Sequence, residues 1–262
     1  MGTYLDRILA SHRAAAADDP RTLERLLDSA RYSPIEVRRF RRTIQIRAAS
    51  GQMVLIAEIK RRSPSKGDLA ADLDPEKLAQ AYAAGGAGCL SVLTDGEFFG
   101  GSADDLARAR AATTLPVLRK DFTLRLEDVC DARIMGADAV LLIVAALSPS
   151  ELREMLALAG DLDLDALVEV HDEAEVETAM RAGATMIGVN QRDLETFEVD
   201  TGRAARVRAS LPAGVVAVAE SGISGPDDVR RLREAGFHGI LVGEALVRSA
   251  DPAAAAAALR GA

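Results

Sequence analysis

Charged and polar residues stand inside, or directly after, several short apolar segments of this chain. Ile-Ala-Glu-Ile-Lys at 56–60 carries a glutamate and a lysine, and Leu-Val-Glu-Val at 167–170 carries a glutamate. Such groups are costly in an apolar segment unless partners satisfy them, so we expect them to meet, with perturbed pKa values suited to acid–base catalysis. Any one of them alone is as consistent with a structural ion pair, but the whole set favours a catalytic site. The set is Glu58, Lys60, Lys120, Glu169, Asn190, Arg192 and Glu220.

Two glycine-containing turns predict a phosphate site. Ser-Gly-Ile-Ser-Gly at 221–225 follows one apolar segment, and Gly-Glu-Ala-Leu at 243–246 follows the next and begins a short predicted helix. Backbone N–H groups in such turns and at a helix N-terminus bind phosphate. Gly222 and Gly243 lack the Cβ that would block the anion. The alternative is that these glycines only turn the chain.

The segment Arg-Arg-Ser-Pro-Ser-Lys-Gly at 61–67 carries three cations. It is predicted to fold over an anionic substrate and to exclude water. The alternative is a solvated surface loop with no part in binding.

The elements that position these residues form a repeated unit. In four places a predicted helix ends at glycine and an apolar, buried strand follows. Four more apolar segments lie between, so eight strands alternate with helices. This predicts a closed (βα)8 barrel, an α/β fold in which the strand ends meet at one mouth, rather than a doubly wound sheet with a glycine-rich fingerprint. The helix-ending glycines lie at 85–86, 136, 183 and 236, and the intervening segments are 54–59, 116–118, 166–170 and 215–219.

Residues 1–48 are predicted to be an N-terminal helical extension that packs on the barrel of residues 49–262, so that the chain is a single domain overall. Leu5, Ile8 and Leu9 share one predicted helical face. Ser-Pro-Ile-Glu at 33–36 matches a capping box and predicts the start of a third helix there.

Composition and charge exclude several functional classes. The net charge of −8 and the 3% aromatic content argue against nucleic-acid and anionic-membrane binding. The longest apolar run, at 139–147, is far shorter than the roughly 20 residues of a membrane span. Cys89 and Cys130 have neither metal-ligand spacing nor partners for a disulfide framework. We therefore expect a cytoplasmic protein without a metal site, and the acidic surface permits a monomer.

The three histidines are expected to be structural. His12 lies on a predicted helical face, and His238 lies where a helix joins a strand. His171 directly precedes Asp172, a predicted helix cap, and is expected to orient that loop.

The motifs that carry the charged residues resemble those of the indole-3-glycerol-phosphate synthase family of tryptophan biosynthesis. The resemblance runs in order along essentially the whole chain and implies a TIM barrel that needs no cofactor. The matching segments are LIAEIKRRSPSKG at 55–67, SVLTD at 91–95, LRKDF at 118–122, LVEVH at 167–171, IGVNQRDL at 187–194, AESGI at 219–223 and LVGEAL at 241–246.

The resemblance implies a lyase reaction on a small anionic substrate. In it, 1-(2-carboxyphenylamino)-1-deoxyribulose 5-phosphate closes to an indole ring and loses carbon dioxide and water. Lys120 matches the general acid of ring closure, and Glu169 matches the base that removes a proton when water is lost. Lys60, beside Glu58, matches a residue that holds the carboxylate or phosphate side and is also a candidate proton donor for dehydration. The sequence leaves open how the two lysines divide the acid roles. Because a neighbouring cation lowers the pKa of a lysine, we expect the pKa of Lys120 to be lowered.

Further site residues are implied in the same way. Asn190 and Glu220 match residues that hydrogen-bond substrate hydroxyl and amine groups, and Ser63 and Arg192 match anion contacts. The Glu244 carboxylate is expected to point away from the phosphate. The phosphate itself would be held by backbone N–H groups of Ser221, Gly222, Gly243 and Glu244.

Three other functions remain open from the sequence. A Schiff-base aldolase would use Lys60 or Lys120 as its nucleophile. A phosphoribosylanthranilate isomerase would need a cysteine and an aspartate at the barrel mouth, where neither Cys89 nor Cys130 is predicted to lie. A non-catalytic phosphate-binding barrel subunit would need neither Lys120 nor Glu169.

Overall fold

Eight parallel strands close into a barrel in the computed structural model, which describes residues 3–63, 66–193 and 197–261. Each strand pairs with its neighbours along the chain, and the first strand also pairs with the last, which closes the barrel. The predicted (βα)8 barrel is therefore confirmed. The barrel strands are β1 (Val54–Ile59), β4 (Cys89–Leu93), β5 (Val117–Lys120), β6 (Ala139–Ile143), β7 (Asp165–Val170), β8 (Met186–Asn190), β9 (Val216–Glu220) and β10 (Gly239–Val242).

The barrel strands are apolar because both of their faces are buried. Successive side chains of a strand point to opposite faces, so alternate residues of β1 enter two different cores. Val54 and Ile56 belong to a cluster with Leu118 and Leu167 of other strands. Leu55 and Ala57 belong to the larger cluster formed with the surrounding helices.

Several helices around the barrel begin at a capping side chain or end at a glycine. Asp172 accepts a hydrogen bond from the backbone N–H of Glu175 at 2.8 Å, and Ser148 forms a full capping box with Glu151. Gly136 ends its helix in the left-handed conformation, with φ of 87°. These helices are α4 (Pro75–Ala84), α5 (Ala103–Ala112), α6 (Leu126–Met135), α7 (Pro149–Asp161), α8 (Glu173–Ala182), α9 (Arg203–Ser210), α10 (Pro226–Glu234), α11 (Glu244–Val247) and α12 (Pro252–Arg260).

The N-terminal region forms α1 (Tyr4–Ala17), α2 (Leu23–Arg31) and α3 (Phe40–Ala49). The predicted start of the third helix at 33–36 is wrong, since α3 begins at Phe40. The Ser33 hydroxyl accepts hydrogen bonds from the backbone N–H of Ile35 and from Arg133 Nη1, and the buried Asp138 carboxylate accepts one from the backbone N–H of Arg38 at 2.6 Å. These contacts hold the segment outside a helix.

The cationic segment after β1 forms a small antiparallel hairpin, β2 (Arg62–Ser63) and β3 (Gly67–Asp68), outside the barrel. Residues 64 and 65 of this segment lie outside the described residues. Within the described ranges, no helix is long and apolar enough to cross a membrane.

Candidate active site

The charged residues predicted from the sequence converge at the carboxyl ends of the barrel strands. Lys120 ends β5, and its Nζ lies 3.4 Å from Glu169 Oε2 and 3.7 Å from Glu220 Oε2. Asn190 ends β8, and its Nδ2 donates a hydrogen bond to Glu169 Oε1 at 3.0 Å. Parallel strands bring these side chains together although long stretches of chain separate them. One ammonium group therefore lies between two buried carboxylates.

A second ion pair stands at the end of β1. Lys60 Nζ lies 2.5 Å from Glu58 Oε1, and the Ser91 hydroxyl lies 3.5 Å from the other oxygen of the same carboxylate. The Glu58 side chain is only 5% exposed. Its charge also acts on Lys120, so the two lysines share one electrostatic environment.

The electrostatic environment of Lys120 differs from the expectation. Burial alone would lower the pKa of the ammonium, but the negative charges of Glu169, Glu220 and Glu58 outweigh burial and raise that pKa above its ordinary value. The expected lowering is wrong because the carboxylates surround this amine, while the charge of Lys60 is offset by Glu58. Lys120 is therefore a fully protonated donor near neutral pH.

The two carboxylates beside Lys120 have different proton affinities. Burial would raise the pKa of Glu169, but Lys120, His171 and the hydrogen bond from Asn190 together lower it. Burial and repulsion from Glu169 raise the pKa of Glu220 to about 8, against the opposing effect of Lys120. Two titratable groups whose pKa values are pushed apart are suited to opposite roles in proton transfer. Glu169 is poised as an ionised base, and Glu220 is poised to hold a proton.

One oxygen of Glu220 packs against the backbone at Gly188. Glu220 Oε1 is buried and has no hydrogen-bond partner among the described residues. The carboxylate occupies the space where a side chain at Gly188 would lie, since a Cβ there would stand 2.0 Å from the same oxygen. A buried polar atom without a partner is costly, which favours the uncharged form of this carboxyl group.

All of the site residues predicted from the sequence line one cavity of about 460 Å³ at the barrel mouth. Acid–base groups occupy its floor, and the turns after β9 and β10 form one wall. The predicted residues that line it are Glu58, Lys60, Ser63, Lys120, Glu169, Asn190, Arg192, Glu220, Ser221, Gly222, Gly243 and Glu244.

The turns after β9 and β10 need glycine for a reason that the sequence did not reveal. A Cβ at Gly222 would lie 2.4 Å from Val199 Cγ1, and a Cβ at Gly243 would lie 2.4 Å from Glu58 Oε1. Protein atoms, rather than an anion alone, thus exclude a side chain at both positions. Gly222 also has φ of 68°, in the left-handed region that favours glycine.

Two neighbouring residues complete this wall. Ser221 also adopts a left-handed conformation, with φ of 64°, and its carbonyl accepts a hydrogen bond from Gln191 Nε2 at 2.7 Å. A non-glycine residue in that conformation is strained, so Gln191 helps to hold the turn. Glu244 begins α11, and its Oε1 lies 4.0 Å from Nη1 of Arg248, the residue that directly follows this helix. This pairing offsets the charge of the Glu244 carboxylate.

An apolar wall of the cavity was not identified from the sequence. Tyr4, Leu5 and Ile8 of α1 line the mouth, whereas the sequence indicated only an apolar face on that helix. Phe99 and Phe122 face each other across this wall with ring centroids 6.4 Å apart. Helical periodicity shows that a face is apolar but does not show what it covers. The remaining apolar lining residues are Leu93, Leu141, Ile143, Phe197, Ile223, Leu241, Val242 and Ala245.

A contact between His12 and Asp95 holds this wall together. His12 Nε2 and Asp95 Oδ2 are 2.8 Å apart, and the other oxygen of Asp95 accepts the backbone N–H groups of Phe98 and Phe99. Within the described residues, ligand-type atoms of His12, Asp95 and Asp121 lie within 4.8 Å of one another. Asp121 is itself paired with Arg119 at 2.9 Å. These internal bonds account for the group as a tether between α1 and the barrel.

Comparisons with solved structures agree on the fold. Thiamine phosphate pyrophosphorylase from Pyrococcus furiosus superposes with a TM-score of 0.60 at 18% identity, over 80% of this chain and 94% of that one. N-acetylmannosamine-6-phosphate 2-epimerase from Clostridium perfringens superposes with a TM-score of 0.60 at 14% identity, over 76% of this chain and 88% of that one. At these identities the likeness concerns the fold alone.

Comparisons of sequence are more specific. The family model described as indole-3-glycerol phosphate synthase matches residues 5–259. The enzyme of that name from Polaromonas sp. is 46% identical over 263 aligned positions, which cover 100% of this chain and 99% of that protein. Those from Chlorobium phaeovibrioides and Bordetella pertussis are each 47% identical, over 95% and 96% of this chain and 96% and 97% of their own lengths. Because the match extends over nearly the full length, the chain belongs to the indole-3-glycerol phosphate synthase family of tryptophan-biosynthesis enzymes.

Proposed function

We propose that this enzyme is a carbon–carbon lyase that closes an indole ring with its own side chains and no cofactor. Its substrate is 1-(2-carboxyphenylamino)-1-deoxyribulose 5-phosphate, and its products are indole-3-glycerol phosphate, carbon dioxide and water. The observation that carries the proposal is the position of Lys120, 3.4 Å from Glu169 and 3.7 Å from Glu220, on the floor of a cavity with an apolar wall. That arrangement suits a substrate with an aromatic ring, a ketone and two anionic groups.

Ring closure is assigned to Lys120. Its ammonium group donates a proton to the ketone oxygen while the ring carbon that bears the carboxylate attacks the ketone carbon. The raised pKa makes Lys120 a weak acid that stays positively charged until the ketone oxygen takes its proton, so stabilisation of the developing alkoxide is the larger part of its contribution. Loss of carbon dioxide then restores the aromatic ring.

Dehydration is assigned to Glu169 and Lys60. Glu169, held ionised by its neighbours, removes a proton from the carbon next to the nitrogen. Lys60 donates a proton to the leaving hydroxyl group, and the indole double bond forms. Two protons are donated and one is taken up, so each turnover consumes one proton from solvent, as the loss of a carboxylate as carbon dioxide requires.

The remaining site residues bind and orient the substrate. The apolar wall at Phe99 and Phe122 accepts the aromatic ring. Glu220 and Asn190, which both line the cavity, bond to the substrate amine and hydroxyl groups. The phosphate lies at the turns after β9 and β10, where N–H groups are available, and Ser63 and Arg192 are further anion contacts. The turn residues are Ser221, Gly222, Gly243 and Glu244.

The absence of tryptophan from the chain allows a direct test. When the anilino-ribulose phosphate is added to the purified enzyme, indole fluorescence is expected to rise above the weak intrinsic fluorescence of a protein without tryptophan. The control is the same substrate with heat-denatured enzyme. A fluorescence trace that stays at the control level would refute the proposed reaction.

Lys60→Ala is expected to raise KM and to lower kcat. Removing an ammonium that binds an anion costs roughly 1.5–3 kcal/mol, or about 10- to 100-fold in kcat/KM. Steady-state kinetics by indole fluorescence measures both constants. The matched control is Lys77→Ala, because the Lys77 side chain is 84% exposed on α4. An unchanged KM would count against the anion-holding role of Lys60.

Gly243→Ala is expected to lower kcat/KM by roughly tenfold or more. A hydrogen bond to a charged group contributes about 1.5–3 kcal/mol, and the new side chain is expected to disturb such a bond. The new Cβ would stand 2.4 Å from Glu58 Oε1, the oxygen that contacts Lys60. Gly225→Ala is the control, since a Cβ there meets no atom within 4 Å. Equal kcat/KM for both variants would show that Gly243 has no role in the site.

Specific observations disfavour the rival functions. A Schiff-base lysine must lose its proton to attack a carbonyl, but the pKa of Lys120 is raised. Borohydride with a sugar phosphate is therefore expected to trap no adduct on Lys120. Cys89 begins β4 at the end away from the mouth, and Cys130 lies in α6, so neither suits isomerase chemistry. A binding-only barrel has no need of the buried Lys120–Glu169 pair.

We also propose that residues 1–48 and the barrel of residues 49–262 act as one domain, since α1 contributes to the cavity. One chain supplies every residue of the proposed site, which supports a functional monomer.

Cys89 and Cys130 are buried and unpaired in the described structure, as suits a reducing cytoplasm.

A further inference from the structure

His171 stands between the proposed catalytic base and the first turn of α8. Its Nδ1 lies 3.1 Å from Glu175 Oε2, and its backbone N–H donates a hydrogen bond to the same oxygen at 2.7 Å. Its Nε2 lies 3.6 Å from Glu169 Oε1. That nitrogen is buried and has no hydrogen-bond partner among the described residues. The ring is thus fixed at one nitrogen and turned towards Glu169 with the other.

We propose that His171 is a positioning residue for Glu169, held by Glu175 so that its imidazolium charge keeps Glu169 ionised during the reaction. This inference rests on the proposed role of Glu169 as the base. The expected loop-orienting contact of His171 is present in its bonds to Glu175. Orienting the loop would not require Nε2 to face Glu169, so the position of this nitrogen indicates a second role for His171.

The charges around His171 favour its protonated form. Burial would lower the pKa of the imidazole, but Glu175 on α8 and Glu169 on β7 raise it above its ordinary value, against a smaller opposing effect of Arg203 on α9. Glu175 therefore serves as an anchor for a charged ring. The His171 side chain is 13% exposed, so solvent screens its charge only weakly.

The need for this charge follows from the proposed order of steps. In the resting site, Glu169 and Glu220 share the positive charge of Lys120. As Lys120 gives its proton to the ketone oxygen, that positive charge is lost, and the buried Glu169 carboxylate loses the ammonium that helps to hold it ionised. Among the described residues, His171 is then the cationic group in contact with Glu169. It keeps the base charged until dehydration.

The test is the pH profile of kcat/KM for His171→Gln, measured by indole fluorescence. Loss of the positive charge raises the pKa of Glu169, so the acidic limb is expected to move to higher pH by about one pH unit or more. At a fixed pH on that limb, a displacement of this size lowers kcat/KM about tenfold. Glu175→Gln, which leaves His171 in place but removes its anionic partner, is expected to displace the limb in the same direction by less.

Two controls separate this inference from structural damage and from the proposed function. Glu173→Gln removes an exposed charge from the same first turn of α8 and is expected to leave the profile unchanged. A His171→Gln enzyme that is folded and slower, but whose acidic limb coincides with that of the wild type, would overturn the inference while the role of Glu169 stands. Full activity of Glu169→Gln would instead overturn the proposed function.

Discussion

Replacing Lys120 by alanine is expected to lower kcat by roughly 10²- to 10⁴-fold, which is the usual contribution of a positioned general acid to the rate. The variant loses both the proton donor for ring closure and the cation that lies between Glu169 and Glu220. The buried Glu169 carboxylate then loses one of the cations that hold it ionised, so its pKa rises. Glu169 would be ionised in a smaller fraction of the molecules, with His171 as its remaining cationic neighbour, so both steps of the reaction would be impaired.

Release of carbon dioxide provides the sharper measurement for this variant. Ring closure precedes decarboxylation, so carbon dioxide and indole are expected to appear at the same reduced rate in Lys120→Ala. Lys77→Ala is the surface control, and thermal unfolding verifies that the variant is folded. Removing one partner of a buried ion pair typically costs about 3–5 kcal/mol, so Lys120→Met provides a second variant that retains the side-chain volume. Wild-type kcat in either folded variant would refute the assigned role.

Glu169→Gln is expected to lower the rate of indole formation by roughly 10²- to 10⁴-fold. Glutamine preserves the volume of the side chain, and its carbonyl oxygen can still accept the hydrogen bond from Asn190. The change therefore removes the base and leaves the architecture in place. Because Lys120 remains, ring closure and decarboxylation are expected to proceed much faster than dehydration.

A single-turnover experiment separates these steps. In Glu169→Gln, carbon dioxide is expected to be released before indole fluorescence appears, because the hydroxylated ring accumulates. The exposed Glu177 on the neighbouring helix, changed to glutamine, is the matched control. Equal rates of carbon dioxide release and indole formation in Glu169→Gln would show that another group removes the proton.

Several features were predictable because they depend on local sequence. The apolar segment at 54–59 is the first strand as predicted, and the cap at Asp172 begins α8. Capping and hydrophobic periodicity act over one or two turns of chain, so neighbouring residues suffice to determine them. Ser33 is the exception, because contacts with Arg133 and the bond from Arg38 to Asp138 prevail over its local capping signal.

The sequence by itself determined the barrel, and with it the fact that Lys60, Lys120 and Glu169 end strands that open at one mouth. Only the tertiary structure decided that the pKa of Lys120 is raised, that α1 covers the mouth, and that His171 turns towards Glu169. The physical reason is the range of the interactions. Hydrophobic periodicity and helix capping are determined by residues that are close together in the sequence. The electrostatic energy of a charged group instead depends on distances of a few ångströms to side chains that are far away along the chain.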